Sequence, residues 1–265
     1  MYSRAKLLLK YIRYYVTAQN GKGHGIHSPF VFDFVTEVLN DRKRYYAYEQ
    51  VEDMRRELLR DTHVIEVEDM GAGSAVSRYK QRRIGAIAKH AAKPEKYGQL
   101  LFRIANYYQP SSIIELGTSL GITTAYLATA NTRIPVITLE GASAVVKEAS
   151  DNFAALGLSN VRLIEGNFDH TLPKVIDLID IAGLVFIDGN HRKEPTLNYF
   201  YRLLAKTTED SILIFDDIHW SKEMEEAWEL IKANPAVTAT IDLFFIGIVF
   251  FRPAFKEKQH FVIRY

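Results

Sequence analysis

The stretch 113–128, reading IIELGTSLGITTAYLA, constrains the fold of this chain more than any other. Ile113, Ile114 and Leu116 form a short apolar run that stops at Gly117. Gly121 follows four residues later, and a helix-like run opens at Ile122. A buried strand that breaks at glycine and passes directly into a helix is how an open parallel sheet builds a nucleotide pocket. Glycine allows the tight turn and the close approach of a ligand, and the helix N-terminus offers free N–H groups. Glu115 sets the sign of that ligand, because a carboxylate there repels a pyrophosphate and favours a cationic or amine-bearing group. The spacing G-x-x-x-G also departs from the dinucleotide fingerprint G-x-G-x-x-G, which counts against a NAD-dependent oxidoreductase.

With 265 residues, 48% of them hydrophobic, the chain can bury a core for one α/β domain with an extension, or for two small domains. A formal net charge of +1 gives no bulk reason to expect nucleic acid or membrane. The absence of cysteine excludes disulfides, thiolate metal sites and a cysteine nucleophile. Leu7, Leu8 and Leu9 are followed by Lys10 and Arg13, so the apolar run is too short for a signal-peptide core or a membrane span. The expectation is a cytoplasmic protein.

Residues 1 to about 60 read as helical, with Leu8, Ile12 and Tyr15, then Phe30, Phe34 and Val38, at helical spacing. Ser28 and Pro29 suit the cap and first position of the second helix. Residues 41–95 are charged and less regular, and 68–74 reads as a linker or lid with no strong strand leading into it. Beyond 113–128, strand signals at 136–139, 161–164, 184–187 and 212–215 alternate with helical ones at 142–156, 172–181, 195–205 and 223–233. Apolar segments at 238–244, 246–251 and 260–264 close the chain with no helix between them. Such alternation predicts a Rossmann-like, doubly wound α/β fold with a parallel sheet, ending in a hairpin and an antiparallel edge strand.

The segment ELGTSLG resembles the first motif, E-x-G-x-x-x-G, of the class I S-adenosylmethionine (SAM) methyltransferases. The longer ELGTSLGITTAYLA is similar to their small-molecule O-methyltransferase branch, to which catechol O-methyltransferase belongs. The resemblance covers about 93–265 and implies a seven-stranded sheet with an antiparallel last strand. A helix from Lys96 would help close the cofactor pocket. Residues 1–92 would then be a mainly helical extension that caps the acceptor site.

In such a sheet, ligand-binding groups gather at the carboxyl ends of the strands. The resemblance implies that Glu115, Gly117, Thr118, Ser119, Gly121 and Thr123 form the cofactor loop. Glu140, followed by Gly141, takes the place of the acid that holds the ribose hydroxyls. Asn167 and Phe168 can frame an adenine, and Asp188 ends the fourth strand on the cofactor's side. In the metal-dependent branch, Mg2+ would be held by Asp188, Asp216 and Asp217, although that branch has Asn where this chain has Asp217. His191 stands where catechol O-methyltransferase has its catalytic lysine, and an imidazole there can act as general base beside Asp188. Lys193 is an alternative base, and His219 and Trp220 are candidates to line the acceptor pocket. His24 and His27 have nothing nearby in sequence to place them at a site.

The function expected is transfer of a methyl group from SAM to an oxygen of a small-molecule acceptor by in-line displacement. A tRNA-modifying methyltransferase is the nearest rival, favoured by Arg4, Lys6, Lys10, Arg13 and Lys22 interleaved with Tyr11, Tyr14 and Tyr15. A catalytically silent SAM-binding module is a third reading, marked by indifference to substitution of Asp188 and His191. Any exposed aromatics among Phe244, Phe245, Phe250 and Phe251 would offer a homodimer edge.

Overall fold

A computed structural model describes residues 1–23, 25–68, 79–91 and 93–265. It divides into two compact units, one built from 1–41 with 179–265, the other from 42–178. His24 and most of the 68–74 segment lie outside the described residues.

The first unit opens with α1 (Arg4–Thr17), capped by the Ser3 hydroxyl, which accepts the Lys6 N–H. Next, α2 (Pro29–Asp33) has the expected Ser28 cap, with Pro29 in its first turn. It widens into a π-helical segment, Phe34–Leu39, ended by a bond from the Asn40 N–H to the Val35 carbonyl five residues back. The wide turn buries Phe34, Val35, Val38 and Leu39 together.

In the second unit, α3 (Tyr46–Arg60) buries Ala47, Val51, Met54 and Leu58, which recur at helical spacing. A hairpin follows that the sequence did not announce, β1 (Val64–Glu68) and β2 (Tyr79–Arg83), paired antiparallel. Half of its strand residues are charged, and in β1 only Ile65 is buried, so no long apolar run marked it. Then come α4 (Ile84–Ala91), α5 (Glu95–Tyr108), β3 (Ile113–Leu116), α6 (Ile122–Ala130), β4 (Val136–Glu140), α7 (Ser143–Ala155), β5 (Val161–Glu165) and α8 (Phe168–Leu178). Strands β3, β4 and β5 are parallel neighbours in that order. Residues of α3, α4, α5 and α6, among them Val51, Ile84, Phe102 and Tyr126, pack together in one core cluster.

The first unit resumes with β6 (Leu184–Ile187), α9 (Lys193–Leu204), β7 (Ile212–Asp216), α10 (Lys222–Ala233), β8 (Ala239–Asp242), β9 (Ile246–Phe250) and β10 (Gln259–Val262). Strands β6 and β7 are parallel, and β9 runs antiparallel to both β7 and β8. The doubly wound α/β class is therefore as expected, with seven strands from β3 to β9 and an antiparallel seventh. One detail differs. The antiparallel strand β9 is internal, and the edge strand β10 is an eighth, parallel to β8. Its parallel run is continued by a bridge from Ile263 to Gln19, just past α1.

The expected dimer edge is covered. Phe244 is buried against Tyr11 and Tyr14 of α1, and Phe250 against Phe30 and Phe34. Phe251 is buried and Phe245 half-buried, so none of the four aromatics is exposed.

Candidate functional site

The glycine loop of the second unit is set by hydrogen bonds at its two ends. Gly117 and Thr118 donate their N–H groups to the Leu139 carbonyl, at 3.0 and 3.1 Å. Gly121 precedes α6 with φ +82°, and a Cβ there would meet the Phe153 ring at 2.4 Å. Any other residue at 121 would be both strained and crowded.

Beneath the loop lies a chain of hydroxyls. The Thr138 Oγ1 donates to Glu115 Oε2 at 2.6 Å, and Thr124 Oγ1 donates to the same oxygen. A hydroxyl has one proton, so in the 2.6 Å contact between Thr118 Oγ1 and Thr138 Oγ1 it is Thr118 that donates. Glu115 is fully buried. An unsolvated carboxylate costs several kcal/mol unless donors meet it, and Thr124 and Thr138 supply two of them to Oε2. Its carboxylate thus ties β3, β4 and α6 together underneath the loop. Thr123 is also buried, in the first turn of α6.

Glu140, at the end of β4, faces the loop itself. Its Oε2 accepts the Ser119 N–H at 2.9 Å, and its Oε1 accepts the N–H groups of Gly141 and Ala142 at 2.9 and 3.0 Å. Ser119 is held at φ +49°, so its N–H turns toward the carboxylate. The side chain is half-exposed, and Oε2, with one donor, has a lone pair left for a ligand hydroxyl. Asn167 caps α8, its side chain accepting the Asp169 N–H at 2.8 Å, and Phe168 begins that helix, half-exposed. Glu140, Ser119 and Gly141 are thus brought together, whereas Glu115 lies below them.

The first unit holds the other candidates. Asp188, His191 and Asp216 place one ligand atom each within 4.8 Å of one another, the one such metal-capable group among the described residues. His191 Nε2 lies 3.4 Å from Asp188 Oδ1. The turn carrying them is held in an unusual shape, with Asn190 at φ +67° and His191 at φ +33°. Each such non-glycine residue costs on the order of 1 kcal/mol or more. Asn190 repays this by donating to the Tyr199 hydroxyl at 2.8 Å and accepting from Arg192 at 3.1 Å. Asp217 does not join the group. It has φ +52°, donates its N–H to the Phe245 carbonyl, and lines a shallow crevice with Leu7, His219, Trp220, Phe244 and Phe245.

His219 has two carboxylate partners, Glu225 Oε1 at 3.1 Å from Nδ1 and Asp242 Oδ2 at 2.8 Å from Nε2. Burial opposes its protonation, yet the two carboxylates carry its pKa above the ordinary value. Burial likewise raises Glu225, and bonds from Lys10, Tyr2 and His219 outweigh it and lower its pKa. Lys10 reaches Glu225 at 2.7 Å and the Tyr2 hydroxyl donates to it at 2.7 Å, so α1 is fastened beside the crevice. The sequence reading missed Glu225 and Asp242. Asp242 ends β8, and the rule that picked the other strand-end acids would have found it. Glu225 carried no such signal, lying 215 residues from Lys10.

A family model described as a methyltransferase domain matches residues 114–218. No curated protein sequence matches the chain. Solved structures do resemble it. The SAH-bound methyltransferase PaMTH1 of Podospora anserina aligns at a TM-score of 0.59 and 15% identity, covering 85% of this chain and 97% of that one. The O-methyltransferase of Bacillus cereus in complex with SAH gives 0.56 and 19%, covering 83% and 97%. TomG, an O-methyltransferase of Streptomyces achromogenes involved in tomaymycin synthesis and solved with SAM, gives 0.56 and 18%, covering 79% and 91%. At these identities the likeness is one of fold. The stretch 114–218, which holds the glycine loop, Glu140, Asp188 and His191, is thus what matches the methyltransferase-domain model, and the chain shares the α/β fold of these solved methyltransferases.

Proposed function

We propose that the chain transfers a methyl group from SAM to a hydroxyl oxygen of a small-molecule acceptor. The observation that carries this reading is the 117–121 loop closed by Glu140, whose carboxylate is half-exposed and accepts the Ser119 N–H. That arrangement suits SAM: one ribose hydroxyl can donate to the remaining lone pair of Oε2, and Asn167 and Phe168 are the residues to frame the adenine. When bound, SAM supplies an electrophilic methyl on a positively charged sulfur.

The chain's own part is to position the acceptor and remove its proton. His191 is the general base. Its Nε2 is oriented by Asp188 and its Nδ1 takes the acceptor proton, which Asp188 stabilises as the imidazolium. The acceptor oxygen then bonds to the methyl as the sulfur–methyl bond breaks, a neutral thioether leaves, and the proton passes from His191 to water. Helix α1 caps the acceptor side, since Leu7 lines the crevice that Asp217, His219 and Trp220 share.

Mg2+ has no step in this reading. It prefers a set of oxygen ligands, whereas the three converging ligand atoms include an imidazole nitrogen and exclude Asp217. The reading is tested by incubating the chain and SAM with a panel of phenols, catechols and other hydroxylated acceptors, with methylated product read by mass spectrometry. His191→Ala should lower kcat by about a hundredfold or more and leave SAM affinity unchanged. Turnover should persist in EDTA, and its loss there would contradict proton removal by His191 alone.

A further inference from the structure

Helix α1 has two apolar faces, and only one is packed. Leu7, Tyr11 and Tyr14 lie against Phe244 and Phe245. Leu8, Leu9, Ile12, Tyr15 and Val16 fall within about a third of the helix circumference on another side, and all five are exposed. Leu9 and Val16 are 68% and 71% exposed. Such a stripe along a helix about 21 Å long is more than the scattered apolar residues of an ordinary surface.

The flanks of the stripe are cationic. By helical spacing, Arg4 borders it beside Tyr15, and Lys6 and Arg13 border it beside Leu9 and Val16; all three are exposed. The Arg264 guanidinium adds a further charge, 4.5 Å over the Tyr15 ring. No acid precedes Asp33 in the sequence. On the packed side, Glu225 and Asp242 are engaged by Lys10, Tyr2 and His219, and Asp217 lines the crevice beside Leu7, away from the exposed stripe. A net charge of +1 for the whole chain conceals this local excess.

We propose that this face of α1 docks on an anionic lipid surface, with its apolar side chains at the headgroup boundary and Arg4, Lys6, Arg13 and Arg264 meeting lipid phosphates. An apolar stripe bordered by cations is the pattern of a helix that lies in the membrane interface. A second copy fits less well, because a two-fold pairing sets identical surfaces together and would oppose like charges. Nucleic acid fits less well too, since its phosphates would meet five apolar side chains. This contact differs from spanning: no described helix is long and apolar enough to cross a membrane. It is also independent of the reaction proposed above.

The test is co-sedimentation of the full chain with vesicles of equal parts phosphatidylcholine and phosphatidylglycerol, beside vesicles of phosphatidylcholine alone, at low and high salt. The chain should sediment with the anionic vesicles, weakly with the neutral ones, and less as salt rises. Arg13→Gln should weaken the partition about fivefold. The double variant Leu9→Glu with Val16→Glu should abolish it while keeping the parent's melting temperature, because both side chains are exposed. Absence of binding to the anionic vesicles, or equal binding by the double variant, would overturn the proposal. So would a lipid-free dimer in light scattering that the double variant dissolves, which would make the face a contact between copies.

Discussion

The two acids of the glycine loop are chemically alike and do different things. Glu140 lies half-exposed against backbone N–H groups, and Glu115 is buried among threonine hydroxyls. Glu140→Ala should therefore weaken SAM binding by about 10- to 100-fold, the worth of a charged hydrogen-bond acceptor, and isothermal calorimetry reads it. Thr138→Val should act on folding instead. It removes one donor from a buried carboxylate and should lower stability by about 1–3 kcal/mol, measured by urea unfolding. Gly121→Ala should cost a similar amount, through φ +82° and the Phe153 ring. Glu140 was legible in the sequence because it ends an apolar run. The burial of Glu115 was not, because Thr138, one of its donors, lies on the next strand, 23 residues away.

Among the elements, strands and helices from β3 onward were readable because most of the apolar runs are short, buried and followed by a polar or glycine break. The β1–β2 hairpin escaped because half of its strand residues are charged, and the parallel direction of β10 because strand direction leaves no mark on composition. The fastening of α1 was hidden for a different reason, since its partners lie at the far end of the chain. It makes a pH prediction. The pKa of His219 is raised above 6.5 in the folded chain, so its stabilisation is full below that value and is lost as pH rises through the folded pKa. The pKa of Glu225 is lowered below 4.5, so its contribution is present above that value and is lost as pH falls through the folded pKa. Melting temperature should decline on both sides of this window, and His219→Gln should remove the decline on the alkaline side.

For the whole molecule, the methyltransferase domain match spans 114–218, and the remainder of the chain carries what that match does not describe: α1, the hairpin and the three closing strands. The general chemistry was legible because it rests on local motifs, the glycine loop and acids at strand ends. The crevice that Leu7 shares with Trp220 was not, because these side chains meet only in the folded chain. The central claim is that the 117–121 loop and Glu140 hold SAM, and calorimetric titration with S-adenosylhomocysteine, with and without Mg2+, tests it most directly. Micromolar binding to the parent chain, weakened in Glu140→Ala and indifferent to Mg2+, is the expected result. A folded sample that binds no S-adenosylhomocysteine under either condition would contradict the claim and leave the loop a structural turn.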